Sequence, residues 1–474
     1  MPEGLAGGAQ APSASAAQEI HLVQEIHLMG SGRAYRGAHA STKPASVYGM
    51  PRWLCLMTAL LAAGCSGSHE VDDAGAPGGD GSLPAIDGAL PSSGSPDAAA
   101  PATGDDAAAD ATASLADAGD GGAAPDAAAQ PLVAYTGGYA SKIAWFSVDR
   151  GTGALTPSGS VTSFGKSPSF LVHDAATTHL YAVDENTPGK VGAYSIDPAS
   201  GALTFLNSVS SGGAGPAYVG LDGSGKYVLV ANYGDGTVAV LPVGAGGKVG
   251  AAVATRTVGS EAHMIIADPT NHFVFVPCKG EDYVAQFRFD ASSGALQPNT
   301  PPTVATATGA GPRHLAFHPN GRFAYLINET DSTLTAFTLD AASGTLAPIE
   351  THSTLPSPLP AGEDAGSNAA AEVWVHPSGR WVVGSNRGDD SLVVFAVDPS
   401  TGKLTLTGFT GSGGSTPRDF AFDPTGTWLY AADQDTGVVA PFRFDAANGS
   451  LSPAGAPVTV SQASYVGLGA LPAR

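Results

Sequence analysis

The chain has 474 residues, of which 63 are glycine and 36 proline, and only 13% of the residues are charged. This composition is too rich in glycine for a helical bundle and too poor in charge for a coiled coil. The formal net charge of −21 at pH 7 argues against a nucleic-acid partner, because binding to phosphates needs a basic surface.

The N-terminal part predicts an export signal. Residues 1–49 have no consistent period, and we interpret them as a non-native extension or a disordered segment, with Met50 as the true start. Residues 50–65 combine Arg52, an apolar run over 53–63 and the sequence LLAAGC before Ser66. This run is too short to span a membrane and is typical of a secretory signal. LLAAGC resembles the bacterial lipobox, which implies cleavage before Cys65 and lipid attachment to it. The alternative is an ordinary apolar helix.

Residues 66–130 are nearly all Ala, Asp, Gly, Pro and Ser. Such a segment has too little apolar surface to offset its chain entropy. We therefore expect a disordered tether between a lipid anchor and a folded domain, with export to the bacterial cell envelope.

Residues 131–474 contain internal repeats. Six hairpin segments begin at 168, 216, 262, 312, 370 and 417, and seven copies of a second strand–turn–strand motif alternate with them. Each unit then has four strands, and period-3.6 patterns are absent, so the sequence predicts an all-β, seven-bladed β-propeller. The lone strands at 131–139 and 464–472 would pair with each other, which closes the ring.

A site is expected at the axis, where the open ends of the first hairpin of each blade converge. Charged residues gather at these ends, although the chain as a whole is poor in charge. Arg313 and Glu329 should face each other across one open end. The other notable residues there are His263, His314, Glu372, Asn386, Arg387 and Arg418. The alternative is a set of solvated strand ends and structural ion pairs.

The chemistry of this set is acid–base chemistry on an anionic ligand. Histidine with a carboxylate can move protons near neutral pH, and arginines can hold an anion and stabilise an oxyanion. The domain lacks the G-x-S-x-G, H-E-x-x-H and C-x-x-C motifs and a complete phosphate-binding loop. We therefore expect no metal and no cofactor. Cys278 is interpreted as an inert core thiol, and His173, His318 and His376 as turn residues.

The runs GAGPRHLAFHPNGRFAYLINE (309–329), AAEVWVHPSGRWVVGSNR (370–387) and STPRDFAFDPTGTWLYAADQD resemble the lactonase family of seven-bladed propellers. This family includes propeller-type 6-phosphogluconolactonases and the fungal 3-carboxy-cis,cis-muconate lactonising enzyme, and the similarity covers essentially all of 131–474. The resemblance implies that His263, Arg313, Glu329 and Arg387 are catalytic. It implies proton transfer by His263 and Glu329 and anion binding by the two arginines. Arg418 is a candidate third anion contact, Glu372 a second carboxylate, and His314 and Asn386 further substrate contacts.

The resemblance has departures. Tyr218 stands where the family often has His, and Asp184 and Asp433 stand where it often has Asn. We expect a monomeric lactone hydrolase that acts on a small sugar lactone and meets the membrane only through its lipid. The alternatives are a non-catalytic, lipid-anchored binding propeller and a muconate-type cycloisomerase.

Overall fold

The structure is a computed structural model, and it describes residues 130–357 and 365–473. The predicted extension over 1–49, the signal peptide with Cys65 and the tether up to residue 129 lie outside the described residues. Three short 3-10 helices occur in the described part, at Ala245–Gly247, Lys279–Glu281 and Ala365–Ser367. No described helix has the length and apolar character needed to cross a membrane.

Seven antiparallel sheets form the blades of a propeller, as predicted. Blade 1 is built from the innermost strand outwards by β29 (Ala463–Ala470), β1 (Leu132–Gly138), β2 (Lys142–Val148) and β3 (Leu155–Thr162). Blade 2 follows with β4 (Leu171–His173), β5 (His179–Asp184), β6 (Lys190–Ile196) and β7 (Leu203–Ser210), and blade 3 with β8 (Pro216–Leu221), β9 (Tyr227–Asn232), β10 (Thr237–Pro242) and β11 (Ala254–Thr257). Blade 4 contains β12 (Ile266–Ala267), β13 (Phe273–Cys278), β14 (Tyr283–Asp290) and β15 (Ala295–Ala305).

The last three blades repeat this order. Blade 5 contains β16 (Pro312–Phe317), β17 (Phe323–Asn328), β18 (Thr333–Asp340) and β19 (Thr345–Ser353), and blade 6 contains β20 (Ala369–Val375), β21 (Trp381–Arg387), β22 (Ser391–Val397) and β23 (Leu404–Gly411). Blade 7 contains β24 (Pro417–Phe422), β25 (Trp428–Asp433), β26 (Val438–Asp445) and β27 (Ser450–Pro453), and the short β28 (Val458–Thr459) also pairs with β26.

The ring closes between the two ends of the domain. β29 pairs antiparallel with β1, from Leu132 opposite Ala470 to Gly138 opposite Ala463. The last strand of the chain therefore supplies the inner strand of the first blade. This confirms the predicted closure, which leaves no unpaired inner edge.

The hydrophobic core lies between neighbouring blades. The second strand of a blade is an unbroken apolar run, and every residue of β9, β13 and β17 is buried. Both faces of such a strand are covered, so its sequence does not alternate. Three tyrosines on these second strands also reach the following blade through their hydroxyls: Tyr135 to Gly201 O, Tyr325 to Gly402 O and Tyr430 to Gly153 O, at 2.8–3.1 Å.

The histidines at the hairpin turns also join blades. Nε2 of His318 lies 2.8 Å from Gly379 O, and Nε2 of His376 lies 3.0 Å from Gly426 O. Nε2 of His173 instead contacts the inner strand of the preceding blade, at 2.9 Å from Leu468 O. These contacts agree with their interpretation as turn residues. Cys278 is fully buried, and burial raises the pKa of its thiol to about 12, which agrees with an inert core thiol.

The second strand carries an amide at or next to its last position in several blades. Asn232 donates through Nδ2 to Ser211 O at 3.2 Å, and Asn386 donates to Thr354 O at 2.7 Å. Asp433 occupies the equivalent position in blade 7 and accepts a 2.6 Å hydrogen bond from Ser412 Oγ. A carboxylate cannot donate as asparagine does. Burial, followed by repulsion from Asp390, raises the pKa of Asp433 from 3.8 to about 7.

We predict that Asp433→Asn stabilises the protein at pH 8 by about 1–2 kcal/mol and has little effect at pH 4. The native state keeps a proton on Asp433 that the unfolded chain has already lost above pH 4, so stability falls as the pH rises from about 4 to 7. Asparagine removes this dependence and restores the donor. Denaturant unfolding at both pH values is the measurement, and an equal gain at pH 4 and pH 8 would contradict this explanation.

Candidate active site

The first hairpin of each blade presents three side chains at the axis. The pairing of β16 with β17 changes register between Pro312, opposite Asn328, and His314, opposite Ile327, so Arg313 is an additional, bulged residue. The same shift leaves Ala217 and Arg418 unpaired in blades 3 and 7. Bulges re-aim side chains and are common beside active sites. Here they turn one side chain per hairpin towards the mouth of the axis.

Three layers of side chains follow from this register. The rim layer comes directly after the second strand, or in blade 6 at its last position, and consists of Tyr139, Glu185, Tyr233, Lys279, Glu329, Arg387 and Gln434. The middle layer contains the bulge position and consists of Ser169, Ala217, His263, Arg313, Ala371, Arg418 and Ser464. The deep layer comes one residue later and consists of Phe170, Tyr218, Met264, His314, Glu372, Asp419 and Tyr465.

A polar cavity of about 230 Å³ lies between the rim and middle layers. Its lining residues are Glu185, Ala217, Tyr233, His263, Arg313, Glu329, Arg387 and Arg418. A second cavity of about 500 Å³ lies along the inner strands, on the other side of the deep layer, and most of its lining is apolar. The polar cavity is the candidate active site, because it is where acid, base and cationic groups converge.

Glu329 holds the cations of this cavity together. Its Oε2 lies 2.6 Å from Arg313 Nη1 and 3.0 Å from Arg387 Nη2, and its Oε1 lies 3.5 Å from Lys279 Nζ. Burial alone would raise the pKa of Glu329, but Arg313, Arg387 and Lys279 lower it to about 2. Burial and the nearby Arg313 also lower the pKa of Arg387 to about 9. Glu329 is therefore an ionised anchor for the arginines.

His263 is a neutral base beside Arg313. Arg313 donates from Nη1 to His263 Nε2 at 2.5 Å and from Nε to Ala371 O at 3.0 Å. Burial, and then the charge of Arg313, lower the pKa of His263 well below its ordinary value. Since a guanidinium cannot accept a hydrogen bond, Nε2 of His263 carries the lone pair and Nδ1 carries the proton.

Arg418 differs from the other two arginines of the cavity. It stacks on the ring of Tyr139 at 5.3 Å from the ring centroid, and it forms no ion pair with the described residues. Tyr139 in turn donates to Glu185 Oε2 at 2.9 Å. Arg418 therefore has donors directed at the cavity that a ligand anion can take.

The structure places the eight predicted site residues in three locations. His263, Arg313, Glu329, Arg387 and Arg418 line the polar cavity. His314 and Glu372 lie behind His263 in the deep layer, with side chains only 2% and 5% exposed. Asn386 lies outside the cavity. It is fully buried, and its amide is bonded to Thr354, Ser391 and Asn368.

Two residues with polar contacts at the site were missed by the sequence reasoning. Asp419 is buried and hydrogen-bonded to Glu372, and its position in the PRDF run matches that of His314 in PRHL, so the repeat alignment contained the signal. Tyr139 follows the lone strand β1 and had no complete hairpin to align with. In the described residues, no group of three or more His, Cys, Asp or Glu side chains is placed to hold a metal ion.

We predict that Glu329→Gln destabilises the protein by about 2–3 kcal/mol at pH 7, because two partly buried guanidinium groups lose their counter-charge. The native pKa of Glu329 is depressed to about 2. The stability that it contributes is therefore present above about pH 4.5 and is lost as the pH falls towards 2. Urea unfolding of both proteins at pH 7 and pH 3 measures the difference, which should shrink at pH 3. The matched control is Glu281→Gln, at an exposed carboxylate, and a similar loss in the control would contradict the assignment.

Comparison with known proteins places this geometry in a family. The model of the family described as "Lactonase, 7-bladed beta-propeller" matches residues 132–468. A 6-phosphogluconolactonase of Pectobacterium carotovorum is 36% identical over 235 residues, which cover 49% of this chain and 68% of the relative. One of Serratia proteamaculans is 32% identical over 49% of this chain and 69% of the relative.

Solved structures agree with this assignment. The periplasmic gluconolactonase PpgL of Pseudomonas aeruginosa has 30% identity and a TM-score of 0.67, over 72% of this chain and 100% of that one. A protein from Lactobacillus plantarum has 29% identity and a TM-score of 0.65, over 72% of this chain and 99% of that one. The resemblance inferred from the hairpin motifs is confirmed. The chain belongs to the lactonase family of seven-bladed β-propellers.

Proposed function

We propose that this protein hydrolyses a small sugar lactone in the polar cavity, with His263 as the general base. The observation that carries the proposal is the contact of one guanidinium, that of Arg313, with both the neutral His263 and the ionised Glu329. A base and an anion-stabilising group then lie within reach of the same reacting atom, which ester hydrolysis requires. Membership of the lactonase family supports this enzyme class.

The electrostatics favour His263 over Glu329 as the base. Glu329 is bound to three cations and its pKa is about 2, so it has little tendency to take a proton from water. His263 Nε2 is unprotonated, and its lone pair becomes available when Arg313 transfers its hydrogen bond from Nε2 to the developing oxyanion. When water attacks the lactone carbonyl, negative charge develops beside Arg313 and Arg387. That charge stabilises a proton arriving at Nε2, so His263 becomes more basic at the moment of reaction.

Arg418 is proposed to bind the anionic group of the substrate. Arg313 and Arg387 share Glu329, whereas Arg418 has no carboxylate partner in the described structure. Three arginines and two glutamates line the cavity, so the lining favours an anion. The volume of about 230 Å³ is below the ~300–1,000 Å³ typical of sites for drug-sized ligands. It suits a single sugar ring, and gluconolactone and its 6-phosphate are the substrates that the relatives' names suggest.

We predict that His263→Gln lowers kcat for lactone hydrolysis about 100-fold or more, as loss of a general base does. pH-indicator kinetics with 6-phosphogluconolactone and gluconolactone, corrected for spontaneous hydrolysis, measure this effect. The acid limb of the wild-type pH profile should lie below pH 6.5, because the lowered pKa of His263 keeps the base unprotonated. The matched control is His272→Gln, at an exposed histidine of the same blade. Ligand binding without turnover in the wild type would indicate a binding propeller instead.

We also predict that Arg418→Gln raises KM for 6-phosphogluconolactone about tenfold or more. Its kcat, and both kcat and KM for the neutral gluconolactone, should stay nearly unchanged. A charged hydrogen bond to an anion contributes about 1.5–3 kcal/mol, which corresponds to this change. The same assay measures it, with Arg443→Gln at an exposed arginine of blade 7 as the control. Equal losses for both lactones would contradict an anion-binding role.

The location is also part of the proposal. The sequence of residues 50–65 resembles an export signal that ends in a lipobox, and a structural relative is named a periplasmic gluconolactonase. We therefore propose an exported protein that is anchored through lipid on Cys65. Metabolic labelling with a fatty-acid analogue in a bacterial host should label the full chain and not Cys65→Ser. An unlabelled wild-type protein would contradict the anchor.

A further inference from the structure

The deep layer contains ionisable groups that the proposed reaction does not use. His314, Glu372 and Asp419 are all buried, and His314 does not line the polar cavity. Burial of three such groups is costly unless each has a partner. Their partners form a continuous path that starts at the proposed base.

The path runs from His263 to a pair of carboxyl groups. His263 Nδ1 lies 3.1 Å from His314 Nε2, and His314 Nδ1 lies 2.7 Å from Glu372 Oε2. The side chain of Glu372 is hydrogen-bonded to that of Asp419. The four side chains come from the consecutive blades 4, 5, 6 and 7, so the path runs around the axis from each blade to its neighbour.

From Arg313 to Glu372, the donors along this path all point the same way. Arg313 donates to Nε2 of His263, so His263 donates from Nδ1 to His314 Nε2. His314 is then protonated at Nδ1 and donates to Glu372. At the far end, the backbone amides of Val373 and Val466 donate to Glu372 Oε1 at 3.0 Å and to Asp419 Oδ2 at 2.8 Å. This is the arrangement in which a proton that arrives at the cavity end can pass along the whole path.

The acid pair has room for a second proton. Two buried carboxyl groups in contact do not both ionise, so the pair shares one proton. The pKa of Glu372 is raised by burial, and that of Asp419 by burial and by the charge of Glu372. Both groups also line the mostly apolar second cavity, which disfavours charge there. The remaining negative charge of the pair can be neutralised by one incoming proton.

We propose that His263, His314 and the Glu372–Asp419 pair form a proton relay that stores the proton of the attacking water and returns it to the leaving group. This proposal rests on the proposed lactone hydrolysis. As the water oxygen bonds to the lactone carbon, Arg313 transfers its hydrogen bond from His263 Nε2 to the developing oxyanion. The water O–H bond then breaks, and its proton bonds to the freed lone pair of His263 Nε2. The Nδ1–H proton of His263 moves to His314 Nε2, and the Nδ1–H proton of His314 moves to Glu372 Oε2. The transfers reverse when the ring C–O bond breaks, and the ring oxygen takes the proton from His263.

The relay solves an electrostatic problem at the base. A proton kept on His263 would leave an imidazolium next to the guanidinium of Arg313, which contacts His263 Nε2 in the resting site. Transfer to the acid pair moves the positive charge two residues away from Arg313 and neutralises a buried carboxylate instead. His314 and Glu372 are therefore positioning and relay residues, and neither needs to contact the substrate.

Glu372→Gln is the variant that separates a relay from a purely structural role. The amide oxygen of glutamine still accepts from His314 Nδ1, but it cannot take up a proton. We expect kcat to fall about 10–100-fold, the lower part of the range for acid–base groups, while KM stays within about twofold. In mixtures of H2O and D2O, a plot of the wild-type kcat against the deuterium fraction of the solvent should be curved, because several protons move. In Glu372→Gln the dependence should become linear.

The controls make a failure interpretable. Asp433→Asn alters another buried acid of raised pKa outside the path, and it should leave kcat and the isotope dependence unchanged. Asp419→Asn replaces the other acid and should lower kcat in the same way, even if Glu372→Gln folds poorly. Folded Glu372→Gln and Asp419→Asn with wild-type kcat and isotope dependence would overturn the relay and leave the hydrolase function intact. A wild type that hydrolyses neither lactone would overturn both.

A measurement without substrate tests the path itself. The ¹⁵N NMR shifts of the imidazole rings report which nitrogen carries the proton. The relay requires the Nδ1–H form for both His263 and His314 at neutral pH, with ring protons in strong hydrogen bonds. An Nε2–H form of either ring would overturn the proposal, whatever the activity.

Discussion

The register between the two inner strands of each blade determines which side chains reach the axis. In blades 3, 5 and 7 a bulge follows the first proline of the inner strand, and the residue after that proline is released from pairing. That residue is Arg313 in blade 5 and Arg418 in blade 7. Because one side of the sheet pairing is interrupted there, the arginines extend along the axis instead of packing between blades. The three-layer site is a consequence of this backbone feature repeated around the ring.

The charge distribution of the layers follows from the shortage of carboxylates at the mouth. One ionised glutamate, Glu329, is the shared counter-charge of Lys279, Arg313 and Arg387. These three cations in turn keep Glu329 in its anionic form. Burial, and then the charge of the nearby Arg313, keeps His263 neutral, and Arg418 is left available to an anion. The same two effects make a charged His263 unfavourable. A neutral base beside two guanidinium groups is therefore efficient only if the proton that it accepts can move elsewhere, and the carboxyl pair of the deep layer lies at the end of the path that leads away.

The fold and most of the cavity lining could be predicted from the sequence, because the hairpin repeats align position by position. The alignment brings His263, Arg313, Glu329, Arg387 and Arg418 to one end of the axis without any structure. The alignment gives a wrong prediction for Asn386. Successive side chains of a strand point to opposite faces, so the residue before Arg387 points into the blade, where its amide bonds to Thr354 and Ser391. The contact between Glu372 and Asp419 depends on the distance between the inner strands of the adjacent blades 6 and 7. Pattern reasoning has no access to that distance, although Asp419 stands at the same repeat position as His314.

The division between layers also explains why the deep residues can differ from blade to blade. Rim and middle positions face the cavity, where Glu329 balances the charges of Arg313 and Arg387. Deep positions face each other across the axis, so a polar residue there needs a complementary residue in the adjoining blade. His314 in blade 5 meets Glu372 in blade 6, which meets Asp419 in blade 7, while blades 1, 2 and 3 contribute Tyr465, Phe170 and Tyr218, whose rings pack together. The polar half of the layer lies next to the blades that supply Arg313, Arg387 and Arg418. Within the deep layer, a proton taken from water near these arginines therefore has the carboxyl pair of blades 6 and 7 as its acceptor.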